Sequence, residues 1–257
     1  MEEWTLSGGK SAGKPGGHKR IADDLRARIA SGELAPGAKV PGENELVAEY
    51  GVAHLTARRG LEVLKNEGLI VARRGSGTFV REFKPIRRIA PDRLRAWTSR
   101  ESIWFFDEQD RKVEVRDLTV DVEPAPERIA RGLVLDHSAA VLVRRRSYVI
   151  DNNKIQLSTS YFPADLVRGT AVEQRDTGPG GVYARLADLG HGPVRFREEL
   201  RSRMPSAAEK VDLELAQGTA VTAIVRTAYT ADDRPVEINE MVLDAGSYVL
   251  EYRLTTG

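Results

Sequence analysis

AHLTARRGLEVLKNEGLIVARRGSGTFV, residues 53–80, is the stretch that decides how this chain folds. Its first part has helical spacing. With about 100° of rotation per residue, Ala57, Gly60, Leu61 and Leu64 cluster on one side. His54, Arg58 and Lys65 project from an adjacent face, with Glu62 and Asn66 further round. Gly68 followed by Leu69 predicts a helix that closes in a Schellman-type turn. Beyond it, Leu69-Ile70-Val71 and Thr78-Phe79-Val80 flank Arg73-Arg74-Gly75-Ser76-Gly77. That pattern predicts a β-hairpin with a basic, glycine-rich tip.

Working upstream, Ile21, Leu25 and Ile29 share a helical face, and Gly32 follows as a stop. Pro36-Gly37 marks a turn. Pro41-Gly42 precedes a short helix with Leu46, Val47 and Tyr50 inward, which Gly51 ends. Three helices and a hairpin in this order predict a winged helix-turn-helix over residues 19–82. Residues 1–18 are rich in Gly, Ser and Lys, with little to bury, and read as a flexible tail. Gly8, Gly13 and Lys14 begin a phosphate-loop pattern, but Pro15 stands where Ser or Thr would hold magnesium and no strand precedes it.

Working downstream, residues 83–98 read as a basic linker containing Pro85 and Pro91. Residues 99–257 then alternate strands and helices. Strands are expected at 112–122, 140–150, 154–162, 194–204, 220–230, 235–243 and 248–254, and helices at 127–133, 181–189 and 207–216. Helix, short loop and hairpin occur at 127–162 and again about 82 residues later at 209–243, with Asp151-Asn152 and Asp232-Asp233 in the equivalent turns. The echo predicts one antiparallel sheet built from two related units, an α+β domain.

The net charge of +1 hides an asymmetry. Residues 1–100 hold 19 Lys and Arg against 12 Asp and Glu, whereas residues 101–257 hold 20 against 26. A basic front half is suited to a polyanion. With no Cys in the chain, disulfides, thiolate metal sites and Cys nucleophiles are excluded. No apolar run approaches the ~20 residues that span a bilayer, and the N-terminus has no secretory apolar core, so a cytoplasmic protein without membrane contact is expected. His18, His54, His137 and His191 lack metal-ligand spacing, and neither a nucleophile motif nor an acid/base pair stands out. No enzyme, metal or cofactor is therefore expected.

Long donors on one exposed helix face are what a major-groove reader needs, because Arg pairs with guanine O6 and N7 or with phosphate. Arg73 and Arg74 beside the tip glycines add a second contact. Here IADDLRARIASGELAPGAKVP, ENELVAEYGV, LTARRGLEVLKNEGLI and RRGSGTFV closely resemble the winged helix-turn-helix of GntR-family bacterial regulators. The resemblance implies a homodimer on a palindromic double-stranded DNA operator. Carried over position by position, it implies DNA contacts from Asn44, His54, Thr56, Arg58, Arg74 and Gly75. Three positions depart from the family pattern. Asn44 and His54 stand where Arg is usual, and Ala53 where Ser or Thr is usual. Arg59, Lys65 and the basic tail are placed to compensate, and the operator sequence is expected to differ.

The second half resembles the effector domain of the HutC subfamily, through VRRRSYVIDNNKIQLSTSYFP, GGVYARL and RTAYTADDRPVEINEMVL. That resemblance implies a chorismate-lyase-like fold and a pocket for a small, often anionic metabolite, such as a phosphorylated sugar or urocanate. Arg144 and Arg146 alternate along one strand and so face the same side, as a clamp for carboxylate or phosphate. Glu237 on the equivalent strand accepts hydroxyl donors. Gly180-Gly181 opens a helix whose free N–H groups suit an anion, and Tyr183 lies on its first turn. Ser158 stands where the subfamily tends to carry an acidic residue. The expected function is a ligand-responsive regulator, most simply a repressor. A constitutive mobile-element repressor and a lyase-like enzyme are the alternatives weighed against it.

Overall fold

The computed structural model describes residues 17–73, 75–82, 85–89 and 111–252. Arg74, the phosphate-loop near miss at 8–15, and the linker from 90 onward lie outside the described residues. The chain divides into two compact units, with the break in the chain between Glu82 and Phe83.

The first unit has helices α1 (Gly17–Ala30), α2 (Glu43–Tyr50) and α3 (His54–Asn66), then a hairpin of β1 (Ile70–Arg73) and β2 (Gly77–Val80). Helix α1 therefore takes in the last two residues of the stretch read as tail. Ile21, Leu25, Leu46, Ala57, Leu61, Leu64, Ile70 and Val80 form one core, which is why apolar residues three and four apart recur along each helix. Helix α3 closes as the sequence predicts. The Leu69 amide donates to the Leu64 carbonyl and the Gly68 amide to that of Lys65, both at 3.0 Å, with Gly68 at φ +72°. Residues 37–40 pair along the free side of β2, where the Val40 amide donates to Thr78 and that of Val80 to Ala38, each at 2.8 Å.

Gly60 sets how closely α1 and α3 approach. A Cβ there would lie 2.9 Å from Ile21 Cγ2 and 3.2 Å from the His18 carbonyl. The expected result of Gly60→Ala is a less stable first unit. Overpacking costs about 1–3 kcal/mol, which outweighs the roughly 1 kcal/mol gained in helix propensity. Urea unfolding followed by circular dichroism checks this, and an unchanged midpoint refutes the packing argument.

The second unit is a six-stranded antiparallel sheet in the order β4 (Glu114–Pro124), β5 (Ala140–Ile150), β6 (Asn153–Pro163), β9 (Pro235–Asp244), β8 (Val221–Tyr229), β7 (Arg195–Arg203). Helix α4 (Glu127–Gly132) joins β4 to β5, and α7 (Ala207–Asp212) joins β7 to β8. Two strand-helix-hairpin units thus meet at the β6–β9 seam, the arrangement predicted by the sequence echo. The β5–β6 turn uses Asp151 and Asn152, both at positive φ, as a two-residue loop requires.

The sheet buries both faces. On one, Ile129 and Leu133 pack on Val141, Val143, Tyr161 and Ile238. The other face is covered in two places. Helix α6 (Gly181–Asp188) and the short helix α5 (Ala164–Val167) pack over Leu142, Phe162, Ala228 and Val236. A parallel ribbon of β3 (Ile86–Ile89) and β10 (Tyr248–Glu251) packs over Ile150, Ile224, Met241 and Leu243. Strand β3 is a departure from the sequence reading, which assigned residues 83–98 to a linker. Its basic composition misleads because Arg88 is fully buried and bonded to Glu198, a residue 110 positions away.

Candidate DNA interface and effector cavity

Helix α3 turns its polar side outward. His54, Arg58 and Arg59 are exposed, and Thr56 is half-buried. Asn44 is exposed on α2 and Gly75 at the hairpin tip, where Gly75 has φ +73°. Arg58 does not stand alone. Its Nε and Nη2 donate to the two carboxylate oxygens of Glu43 at 3.0 and 3.1 Å, and this bonding holds the Glu43 carboxyl below its usual range. Arg73 lies over the Phe79 ring at 4.7 Å, which steadies the base of the hairpin. The sequence reading missed Leu55. It is 57% exposed on the first turn of α3, at the pole opposite Ala57 and Leu64, and the signal was an apolar residue on the polar side of the wheel.

In the second unit, Arg144, Arg146, Tyr183 and Glu237 line one cavity of about 590 Å³. Strand alternation places Arg144, Arg146 and Tyr148 on the cavity face, while Arg145 turns away and pairs with Glu123 at 2.8 Å. Register then sets Ser160 opposite Arg144, and Asn239 opposite Ser160. The rim opposite the sheet is the segment 175–182 and the start of α6. Amides at such a helix start favour negative charge.

The two arginines expected to act as a pair differ in their bonding. Arg144 donates to the backbone carbonyls of Val172, Gln174 and Arg175 at 2.7, 2.6 and 3.1 Å. Burial, with the charge of Arg146 adding to it, lowers its pKa to about 10, so it stays charged near neutrality. Its guanidinium ties down the segment that forms the cavity rim. Arg146 bonds neutral groups: Nε donates to the Tyr148 hydroxyl at 2.7 Å, and both Nη atoms reach the Ser160 hydroxyl at 3.2 Å. Among the described residues, no carboxylate lies within ion-pair distance of Arg146. Across the cavity Tyr183 donates its hydroxyl proton to Glu237 at 2.5 Å. Burial, then the Glu237 charge, pushes the Tyr183 phenol well up, so it remains a donor. Ser158 is buried and donates to Asn239 at 2.9 Å.

Sequence reasoning did not single out Arg226 or Asn239, which also line this cavity. Arg226 was discoverable only as one more residue of alternating strand β8, and nothing local marks it as buried.

A unit that presents a polar recognition helix and a hairpin, joined to a unit with a cavity that mixes cations and acceptors, defines a DNA-binding transcription regulator with an effector domain. The chain belongs to the gntR family of bacterial regulatory proteins: the family's DNA-binding domain matches residues 18–80 and the UTRA domain matches residues 108–248. The combination is that of the HutC subfamily, a group of regulators and not of enzymes. The HTH-type transcriptional regulator SCO4628 of Streptomyces coelicolor is 30% identical over 231 residues, covering 85% of each chain. The transcriptional repressor NagR of Bacillus subtilis is 25% identical over 232 residues, covering 89% of this chain and 90% of its own. A crystal structure of a GntR-family transcriptional regulator superposes with a TM-score of 0.62 at 26% identity, covering 95% of this chain and 99% of its own. Among the described residues, no helix is long and apolar enough to cross a membrane.

Proposed function

We propose that this protein is a repressor that acts in the cytoplasm as a homodimer on a palindromic operator and is released by a small anionic metabolite. The observation that carries the reading is Arg146, a guanidinium on the cavity wall whose bonds go only to neutral oxygens. A cation inside a protein is ordinarily paired, and a carboxylate or phosphate supplies the missing charge. Glu237 and Asn239 on the same wall accept hydroxyl or amino donors, so the ligand carries both an anion and donor groups. The name of the Bacillus subtilis relative, a repressor, supports the sign of regulation. Two copies related by a two-fold axis place two recognition helices on two half-sites. Asn44, His54, Thr56, Arg58, Arg59, Arg74 and Gly75 face the duplex, and Leu55 contacts a thymine methyl.

The test is a gel shift on an operator selected from random DNA, repeated with phosphorylated sugars and small carboxylates. Arg146→Ala is expected to leave operator affinity unchanged and to weaken release by about tenfold or more, the loss of one charge-assisted contact. Release by the same compound at the same concentration in the variant removes Arg146 from the site. A protein that responds to no anion is a ligand-independent repressor. Operator affinity is also expected to fall steeply with salt, because phosphate contacts release counterions, and a flat salt profile refutes this mode of binding.

A further inference from the structure

Behind the cavity wall lies a buried ion cluster. Glu198 on β7 accepts from Arg88 Nη2 and Nη1 at 2.5 and 3.1 Å, and from Arg226 Nε at 2.8 Å. Both arginines are almost completely buried, at 0% and 3% exposure. Arg226 lines the cavity, whereas Arg88 lies on β3. The Nη2 of Arg226 is buried and has no aligned acceptor, although Glu198 Oε1 is 2.8 Å away and the Tyr183 hydroxyl also bears on this guanidinium. Donors left in that state inside proteins call for a partner. The cavity lining sets Arg144, Arg146, Arg175 and Arg226 against Asp176 and Glu237, and Glu198 behind it is shared with Arg88, so positive charge is in excess.

We propose that Arg226 is a ligand-binding residue of this cavity, and that Glu198, which bonds both Arg226 and Arg88, carries the occupancy of the cavity to strand β3. The proposal rests on the anion-cavity reading above and adds the second cation and the route out. An oxyanion held by Arg146 and Arg226 gives the buried Nη2 an aligned acceptor and competes with Glu198 for the same guanidinium. Two anions on one guanidinium repel. Glu198 then gives up its share of Arg226 and bonds Arg88 more fully. Strand β3 has four residues, pairs with β10 and buries Ile86 and Arg88, so the Arg88 bond is one of the contacts that anchor it. It is also the first element after the DNA-binding unit, entered six residues beyond Val80. A change in its anchorage acts on the tether of the reading head. Coupling of this kind is reciprocal, so β3 and ligand must each affect the other.

The experiment uses the full chain and inorganic phosphate as the probe. Calorimetry measures phosphate binding, and hydrogen exchange read by mass spectrometry follows the amides of 86–89 and 248–251. In the unsubstituted protein, phosphate is expected to bind and to slow exchange in β3. Arg226→Gln is expected to weaken phosphate binding by about tenfold, the value of one charge-assisted hydrogen bond. Glu198→Gln keeps the shape, removes the nearby anion, and is expected to bind phosphate no more weakly while β3 no longer responds. Arg88→Lys keeps the charge, does not touch the cavity and is expected to give the same uncoupling, which covers the case of a Glu198 variant that does not fold. Phosphate that does not bind the unsubstituted protein overturns the anion reading and this proposal with it. Phosphate that binds Arg226→Gln as tightly as the unsubstituted protein removes Arg226 from the site. Binding with a full β3 response in both Glu198→Gln and Arg88→Lys overturns the coupling alone.

Discussion

Glu198→Ala is expected to destabilise the second unit by about 3–5 kcal/mol, the loss typical of removing one partner from a buried ion cluster. The alanine leaves Arg88 and Arg226 buried without their shared carboxylate, and it withdraws an acceptor that the Tyr252 hydroxyl also uses at 3.1 Å. The effect has a pH signature. Burial alone would raise the Glu198 pKa, but hydrogen bonding by Arg88 and the charges of Arg226 and Arg88 outweigh it and hold the carboxyl at about 2, against an ordinary 4.5. A folded-state value below the unfolded one means the ionised form stabilises the fold. That contribution is fully present above about pH 4.5 and is lost as the pH falls toward 2. Linkage puts its size at about 3 kcal/mol, in keeping with the mutational figure. Thermal unfolding of the full chain from neutral pH downward checks both parts. Glu198→Ala lowers the midpoint at pH 7, and the gap between variant and parent narrows as acid removes the same interaction from the parent. A gap that stays constant through the acid range refutes the assignment of the stability to the ionised carboxylate.

Arg58→Ala is expected to reduce affinity for the selected operator by about 5- to 150-fold, which corresponds to the ~1–3 kcal/mol of one good base contact. The fold does not depend on this side chain, since Arg58 is 59% exposed and its ion-pair partner is Glu43 on the neighbouring helix. An exposed pair of that kind contributes little to stability. It does position the guanidinium, and DNA must take the place of Glu43. Glu43→Gln is therefore expected to tighten operator binding, because it releases Arg58 and removes a negative charge from a surface that meets phosphates. Opposite signs at two bonded residues distinguish a DNA contact from a structural pair, which would lose affinity in both variants. Arg131, an exposed arginine paired with Glu127 on α4 of the other unit, serves as the control, and its alanine variant should bind normally. Unchanged operator affinity in Arg58→Ala refutes the orientation assigned to α3.

Much of this architecture is written in local sequence. The α3 wheel, the Gly68-Leu69 ending and the hairpin around Arg73 to Gly77 each follow from residues within a few positions of one another, where helix geometry and turn chemistry act. The strand-helix-hairpin echo in the second half was legible for the same reason, because hairpins and short connections are local. Strand alternation likewise put Arg144 and Arg146 on one face, and the structure brings both to the cavity with Tyr183 and Glu237.

Tertiary structure alone decided what each charge does. Arg144 and Arg146 have equivalent places in the sequence pattern and both line the cavity, yet one bonds backbone carbonyls some 30 residues away and the other bonds hydroxyls, because only the folded chain brings Val172, Gln174 and Arg175 to the first. Residues 86–89 resemble their basic surroundings until Glu198, itself shared with Arg226, pairs with Arg88. A charge can be buried when its partner arrives from elsewhere in the chain, and no local pattern records that arrival. By itself, the sequence determined which elements form and which faces they bury, through interactions of short range. Partners brought together from 28 to 110 residues away decided which arginines are structural, which line the cavity and which share a carboxylate with β3.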